Sequence, residues 1–187
     1  MSIKKIVLAF DGSDGSEKAL QWSIGFAKDN GAEIHVTSVI EAIYTASFEP
    51  VFDVGAIDDI RKNDMTKNAA QAEAIYKEHN LVSKSIILEG HPAEEIINYA
   101  TRIHADLIVC GTRGHGGFSA LLLGSIAHKL VTYATIPVVV VKWSEYKKPT
   151  VSLVFIQLNS RFSFFEKNYL LCTFIALFIP CFTIHST

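Results

Sequence analysis

Along residues 1–142, short and densely apolar runs alternate with longer stretches in which apolar residues recur every three or four positions. The dense runs cover 5–10, 33–40, 83–89, 106–110 and 137–142, are rich in Val and Ile, and are bounded by turn-forming residues. They read as strands. The first helical pattern opens at Asp14, with Glu17 three residues on. It runs through Ala19, Trp22, Ile24, Phe26 and Ala27 and stops at Asn30-Gly31, a C-cap signal. A stretch rich in Ala, Lys, Glu and Gln over 57–80 is the second helix, and Pro92 at a first helical position opens a third that ends near His104. The fourth spans 125–133, while 41–55 has no period, contains Pro50 and reads as a loop.

Strand and helix alternate throughout, and several strands are apolar at consecutive positions. Those are the marks of a parallel sheet buried under helices on both faces, a doubly wound, Rossmann-like α/β fold. Ligands of such sheets sit beyond the C-terminal ends of the strands, where the strand order reverses. The first and fourth strands end in the most turn-like segments of the chain, 11–16 and 111–117. If those strands are neighbours, the two turns flank one crevice.

The segment 111–125, G-T-R-G-H-G-G-F-S-A-L-L-L-G-S, carries the chemistry. Glycines let backbone amides approach an anion with no Cβ in the way, and a helix N-terminus adds partial positive charge. The spacing Gly111, Gly114, Gly124, then Ser125 is not a P-loop, which needs Gly-Lys-Ser/Thr. Nor is it the dinucleotide fingerprint, since Ser119 stands where Gly114-x-Gly116 requires a third glycine. Amides near Gly114, Gly124 and Ser125 would hold phosphates, with the Ser125 hydroxyl donating to one, and Arg113 and His115 lie within the loop. Asp11 follows the first strand. A carboxylate repels bare phosphate, so it would serve ribose, adenine or a divalent cation, or else close an Asx-turn in D-G-S.

This G-x2-G-x9-G-S spacing, with K-I-V-L-A-F-D-G-S-D at the start and P-V-V-V-V-K at the end, resembles the nucleotide-binding branch of the universal stress protein family over roughly residues 1–143. The resemblance implies the strand order 3-2-1-4-5, ATP with Mg²⁺ across the ends of strands 1 and 4, and a homodimer paired through the strand at 137–142. It implies nucleotide contacts at Ala9, Phe10, Asp11, Ser13, Val39, Gly111, Thr112, Arg113, Gly114, His115, Gly124, Ser125 and Ile126. Val39 would read the adenine edge through its backbone. The family's role is that of a stress-response switch.

Two rivals are weaker. ATP pyrophosphatases and adenylating enzymes of this fold type carry S-G-G-x-D-S after the first strand, where this chain has D-G-S-D-G-S at 11–16. The nucleotide-free, structural branch of the family lacks the glycine loop that is present here. No general base can be identified near the phosphate loop, so binding is expected rather than efficient hydrolysis.

Composition narrows the reading further. A net charge of −2 over 187 residues gives no basic face for nucleic acid. The three cysteines, Cys110, Cys172 and Cys181, have no metal-type pairing, and Cys110 within an apolar strand reads as a buried, inert thiol. No signal peptide is apparent, so a reducing, cytoplasmic setting is expected. The seven histidines show no zinc-helix spacing. Near 143–149 the chain changes character: beyond Lys148 only Arg161, Glu166 and Lys167 carry full charges, yet eight aromatics lie there. Residues 144–187 are therefore set apart from the domain at 1–143. Within them 169–184 is a run of 16 uncharged residues interrupted by Pro180, short of the ~20 that a membrane span needs. Membrane contact by this run ranks below a non-native extension such as readthrough.

Overall fold

The computed structural model describes residues 2–41, 54–114 and 123–142, with 54–58 described by backbone alone. Nine elements follow in order: β1 (Lys5–Ala9), α1 (Asp14–Asn30), β2 (Glu33–Ile40), α2 (Val54–Glu78), β3 (Ser83–Glu89), α3 (Pro92–Arg102), β4 (Leu107–Gly111), α4 (Ser125–Tyr133) and β5 (Val138–Val141). The strands form one sheet in the order β3-β2-β1-β4-β5, and each neighbouring pair is parallel. Strand order reverses between β1 and β4, paired from Ile6↔Leu107 to Leu8↔Val109.

Two cores flank the sheet, and the side-chain period of two along each strand feeds both. Ile6, Leu8, Ile34, Val36, Leu107 and Val109 join α1 and α2 in the first cluster, around Leu20, Ile24 and Tyr76. Val7, Ile108 and Cys110 join α3 and α4 in the second, around Ile96, Tyr99 and Leu130. Burial on both faces is why these strands read as unbroken apolar runs rather than alternating ones.

Most element limits fall within a few residues of those expected, and the exceptions have local causes. The cap of α1 is Ser13 rather than Asp14: Ser13 is extended (φ −76°, ψ 160°) and its hydroxyl accepts the Ser16 amide. Gly31 ends the helix in the left-handed conformation, φ 59°. α2 begins at Val54, ahead of the expected 57, and so takes in Gly55. β4 is shifted by one residue, because the Asp106 carboxylate accepts the amides of Lys4 and Lys5 at 2.8 and 2.9 Å and stands outside the ladder. Gly111 enters the strand in its place and pairs with Val141.

β5 lies at the sheet edge, as expected, but all four of its side chains are buried. Val139 and Val141 belong to the first cluster, Val138 and Val140 to the second. What this edge offers is backbone. The Pro137 and Val141 carbonyls accept the Ile108 and Thr112 amides, so alternation turns the amides of Val138 and Val140 outward. Among the described residues no helix is long and apolar enough to cross a membrane. The run at 169–184 and the rest of 143–187 lie outside the described residues.

Candidate functional site

The crevice is built from the two turns that β1 and β4 deliver side by side. In the first turn, one Asp11 oxygen accepts the Ser13 amide at 3.0 Å and the Ser13 hydroxyl at 2.5 Å, closing an Asx-turn that sets the start of α1. The structural role weighed for Asp11 is thus present. Its second oxygen lies where Gly114 would carry a Cβ.

The second turn is held by close backbone contacts. A Cβ on Gly111 would meet the backbone of Gly15, and a Cβ on Gly15 would meet the Arg113 carbonyl oxygen. Packing alone therefore accounts for glycine at 111, whose residue is also committed to the β4–β5 ladder. Gly124 differs: its Cβ position is 3.3 Å from the Thr112 carbonyl oxygen, tight but not closed. The Gly124 amide donates to that same oxygen at 2.7 Å, so the two ends of the loop are pinned together. α4 then opens at Ser125 with Gly124 as its N-cap (φ −70°, ψ 164°) and no side-chain cap. Among the described residues no side chain caps its first amides, whereas α1 is capped by Ser13.

The other expected contacts fall as follows. Ala9 is half-buried against the second cluster. The Phe10 side chain is buried in the first cluster, its amide donates to the Thr37 carbonyl at 2.9 Å, and its carbonyl accepts the Ser38 hydroxyl at 2.7 Å. Phe10 serves packing. Val39 is buried and pairs with Leu88. Since the Thr37 carbonyl faces β1, alternation turns the Val39 backbone the same way, beyond the last β1 residue, Ala9. Thr112 is half-buried, Arg113, Gly114 and Ser125 are exposed, and Ile126 is 37% exposed. His115 lies outside the described residues.

These residues do not all meet in one pocket. Ser13, Thr112, Arg113 and Gly114 line a cavity of about 580 Å³ on the α1 side. Ser125 and Ile126 line another of about 560 Å³ between α3 and α4, with His91, Asn98, Lys129 and Tyr133. Sequence reasoning missed Gly15, Lys18 and Lys142 on the first cavity, and His91 and Lys129 on the second. The second glycine of D-G-S-D-G-S was the one visible signal for Gly15; the lysines gave none.

A doubly wound parallel sheet, reversing where a pinned glycine loop leaves β4, defines an α/β protein of the Rossmann-like class. The sequence matches the universal stress protein family over residues 2–142, and the chain belongs to that family. It is 35% identical over 145 residues to universal stress protein MJ0531 of Methanocaldococcus jannaschii, covering 74% of this chain and 82% of that protein. The solved structure of the hypothetical protein MJ0577 aligns with a TM-score of 0.64 at 27% identity, over 78% of this chain and 99% of that one. The universal stress protein of Archaeoglobus fulgidus in complex with dAMP aligns with a TM-score of 0.54 at 21% identity, over 76% of this chain and 100% of that one.

Proposed function

We propose that this protein is an ATP-binding stress-response switch of the cytoplasm, with the nucleotide lying across the ends of β1 and β4. The observation that carries the reading is the return of the loop. Gly124 is held against the Thr112 carbonyl, carries no side chain, and opens α4 with its first amides uncapped. That is the arrangement a phosphate oxygen needs. The dAMP bound by the Archaeoglobus fulgidus relative supports an adenine nucleotide as the ligand class. Asp11, which follows β1, and the Val39 backbone turned toward β1 are the groups we assign to the nucleoside.

Mg²⁺ would come with the nucleotide. Among the described residues no three His, Cys, Asp or Glu side chains gather into a metal site. A Mg²⁺ ion takes one or two carboxylates together with phosphate oxygens, so Asp11 beside a bound triphosphate fits it. The ion would supply charge neutralisation of the phosphates. Occupancy would then change the surface offered to a partner.

Calorimetry with ATP tests this reading. Gly124→Ala needs its neighbours to give by a few tenths of an ångström and should weaken binding. Gly124→Val adds branches toward the phosphate position and should abolish binding in a protein that still folds. Unchanged affinity in a folded Gly124→Val protein refutes the proposal. We also propose a homodimer through the β5 edge, where outward amides of Val138 and Val140 would pair about a two-fold axis. Sedimentation of the protein as a monomer at micromolar concentration would refute that part.

A further inference from the structure

His35 is a buried titratable side chain that the nucleotide reading does not use. It stands in β2 beside Val7 of β1 and Lys84 of β3. Its Nδ1 lies 2.6 Å from the Tyr99 hydroxyl, the one side-chain hydrogen bond between β2 and α3 among the described residues. Its Nε2 lies 3.1 Å from Glu33, whose carboxylate also holds Lys84 at 2.7 Å. The Lys84 ammonium keeps that carboxylate ionised, with a pKa below the ordinary value. An ionised carboxylate only accepts, so Nε2 carries the ring proton and Nδ1 accepts from the phenol. Burial raises the pKa of the Tyr99 phenol, which therefore keeps the hydrogen that this role requires.

We propose that His35 and Tyr99 form a proton-operated clasp: protonation of His35 frees α3 from β2 and weakens nucleotide binding, which makes acidification an input to the switch. The inference rests on the nucleotide reading above. A second proton can enter the ring only at Nδ1, where it turns a donor toward the phenol that had been donating to it. Among the described residues the Tyr99 hydroxyl has no other hydrogen-bond partner to take its own hydrogen. Charge opposes the proton as well. Glu33 is the one carboxylate acting on the ring and is shared with Lys84, Lys5 of β1 adds a second cation, and Arg102 of α3 lies over the Tyr99 ring. Lys5 also holds the far end of α3, donating to the Ile103 carbonyl at 2.8 Å, so the N-terminal part of the helix is the part left to swing. That part carries Glu94 and Asn98, preceded by His91, onto the cavity shared with Ser125 at the start of α4. Opening the clasp thus moves a wall of the site. Burial is the main force holding the His35 pKa down in the closed form, so the clasp is complete above about pH 6.5 and is lost progressively below it.

Hydrogen exchange of the full chain without nucleotide, read peptide by peptide and corrected for intrinsic rates, reports the clasp. Between pH 7.5 and pH 5.5 the peptides of α3 should lose protection relative to those of α1, and His35→Gln should remove that difference. Tyr99→Phe deletes the bond at every pH, so its α3 should exchange faster than native already at pH 7.5 and gain less on acidification. Calorimetry with ATP over the same range reads the coupling. Native affinity should fall by about fivefold or more, the lower end of ordinary coupling between sites, beyond any fall in His35→Gln. The phosphates of ATP titrate in this range too, and comparison with His35→Gln under the same ligand removes their share. Equal pH dependence in the native protein and His35→Gln, or parallel loss of protection in α1 and α3, would overturn the proposal. A failure of ATP to bind at pH 7.5 would count against the nucleotide reading alone, because the exchange measurement is made without it.

Discussion

The backbone of Gly15 occupies the space in which Gly111 would carry a Cβ. The first turn of α1 is thereby pressed onto the exit of β4, and neither residue can gain a side chain without moving a main chain. Gly111→Ala should therefore destabilise the fold by about 1–3 kcal/mol, the range for forced overpacking. Gly124→Ala, whose Cβ would lie at a tight but not closed 3.3 Å from the Thr112 carbonyl oxygen, should cost less. Urea midpoints of the two variants compare them directly, and equal costs would contradict the close approach.

A second prediction concerns the fully buried Tyr76, whose hydroxyl meets the Ser23 hydroxyl at 2.5 Å. Ser23 also donates to the Leu20 carbonyl at 2.8 Å, so its hydroxyl keeps a partner when Tyr76 is changed. Tyr76→Phe should cost about 0.5–1.5 kcal/mol. Ser23→Ala strands a buried phenol and should cost more, about 1–3 kcal/mol. Denaturant titration that reverses this order would show that Tyr76 has found another partner.

Stability should also fall on mild acidification through His35. The imidazole is buried in β2, with Nδ1 against the Tyr99 hydroxyl at 2.6 Å and Nε2 against Glu33 at 3.1 Å. Burial is the main force on it and pushes its pKa below the ordinary value. Lys84 and Lys5 add to that effect while Glu33 opposes it. Arg102 lies over the Tyr99 ring on the α3 side. A lowered folded pKa means that the unfolded chain takes up the proton first, so stability is full above about pH 6.5 and declines below it. Urea midpoints measured between pH 8 and pH 5.5 should drop in the native protein and run flatter in His35→Gln. Parallel profiles would remove His35 as the cause.

Cys110 should be chemically silent in the folded protein. Its side chain lies in the second cluster, and burial pushes the thiol up to about 12. The thiolate that reacts is then essentially absent at neutral pH. Maleimide labelling followed by peptide mapping should find Cys110 unmodified under native conditions and modified in denaturant. Native labelling at that peptide would show that β4 opens.

Removal of residues 149–187 should leave the thermal midpoint and ATP affinity unchanged. Every strand of the described sheet is complete by Val141, and the family match ends at residue 142. A shortened protein that fails to fold, or that loses ATP, would show that these residues pack on the domain.

The local pattern alone determined which segments are strands and helices, since side-chain periods of two and 3.6 are set by the backbone of each segment. Burial on both faces of the sheet was equally legible, because Ile6, Val7 and Leu8 are apolar at successive positions and serve opposite cores. The start of α4 at Ser125 was visible for the same local reason. The strand order came from the family resemblance, and the sheet agrees with it. What Gly111 is for, by contrast, depended on a backbone far along the chain. A missing Cβ looks the same in sequence whether it admits a ligand or the main chain of Gly15. The gathering of Lys18, Arg113 and Lys142 was equally hidden, because each is an ordinary surface cation until the parallel order of β1, β4 and β5 brings their C-terminal ends together. Periodicity is a property of neighbours in sequence, whereas close approach and convergent charge are properties of neighbours in space, and only the tertiary structure decides those.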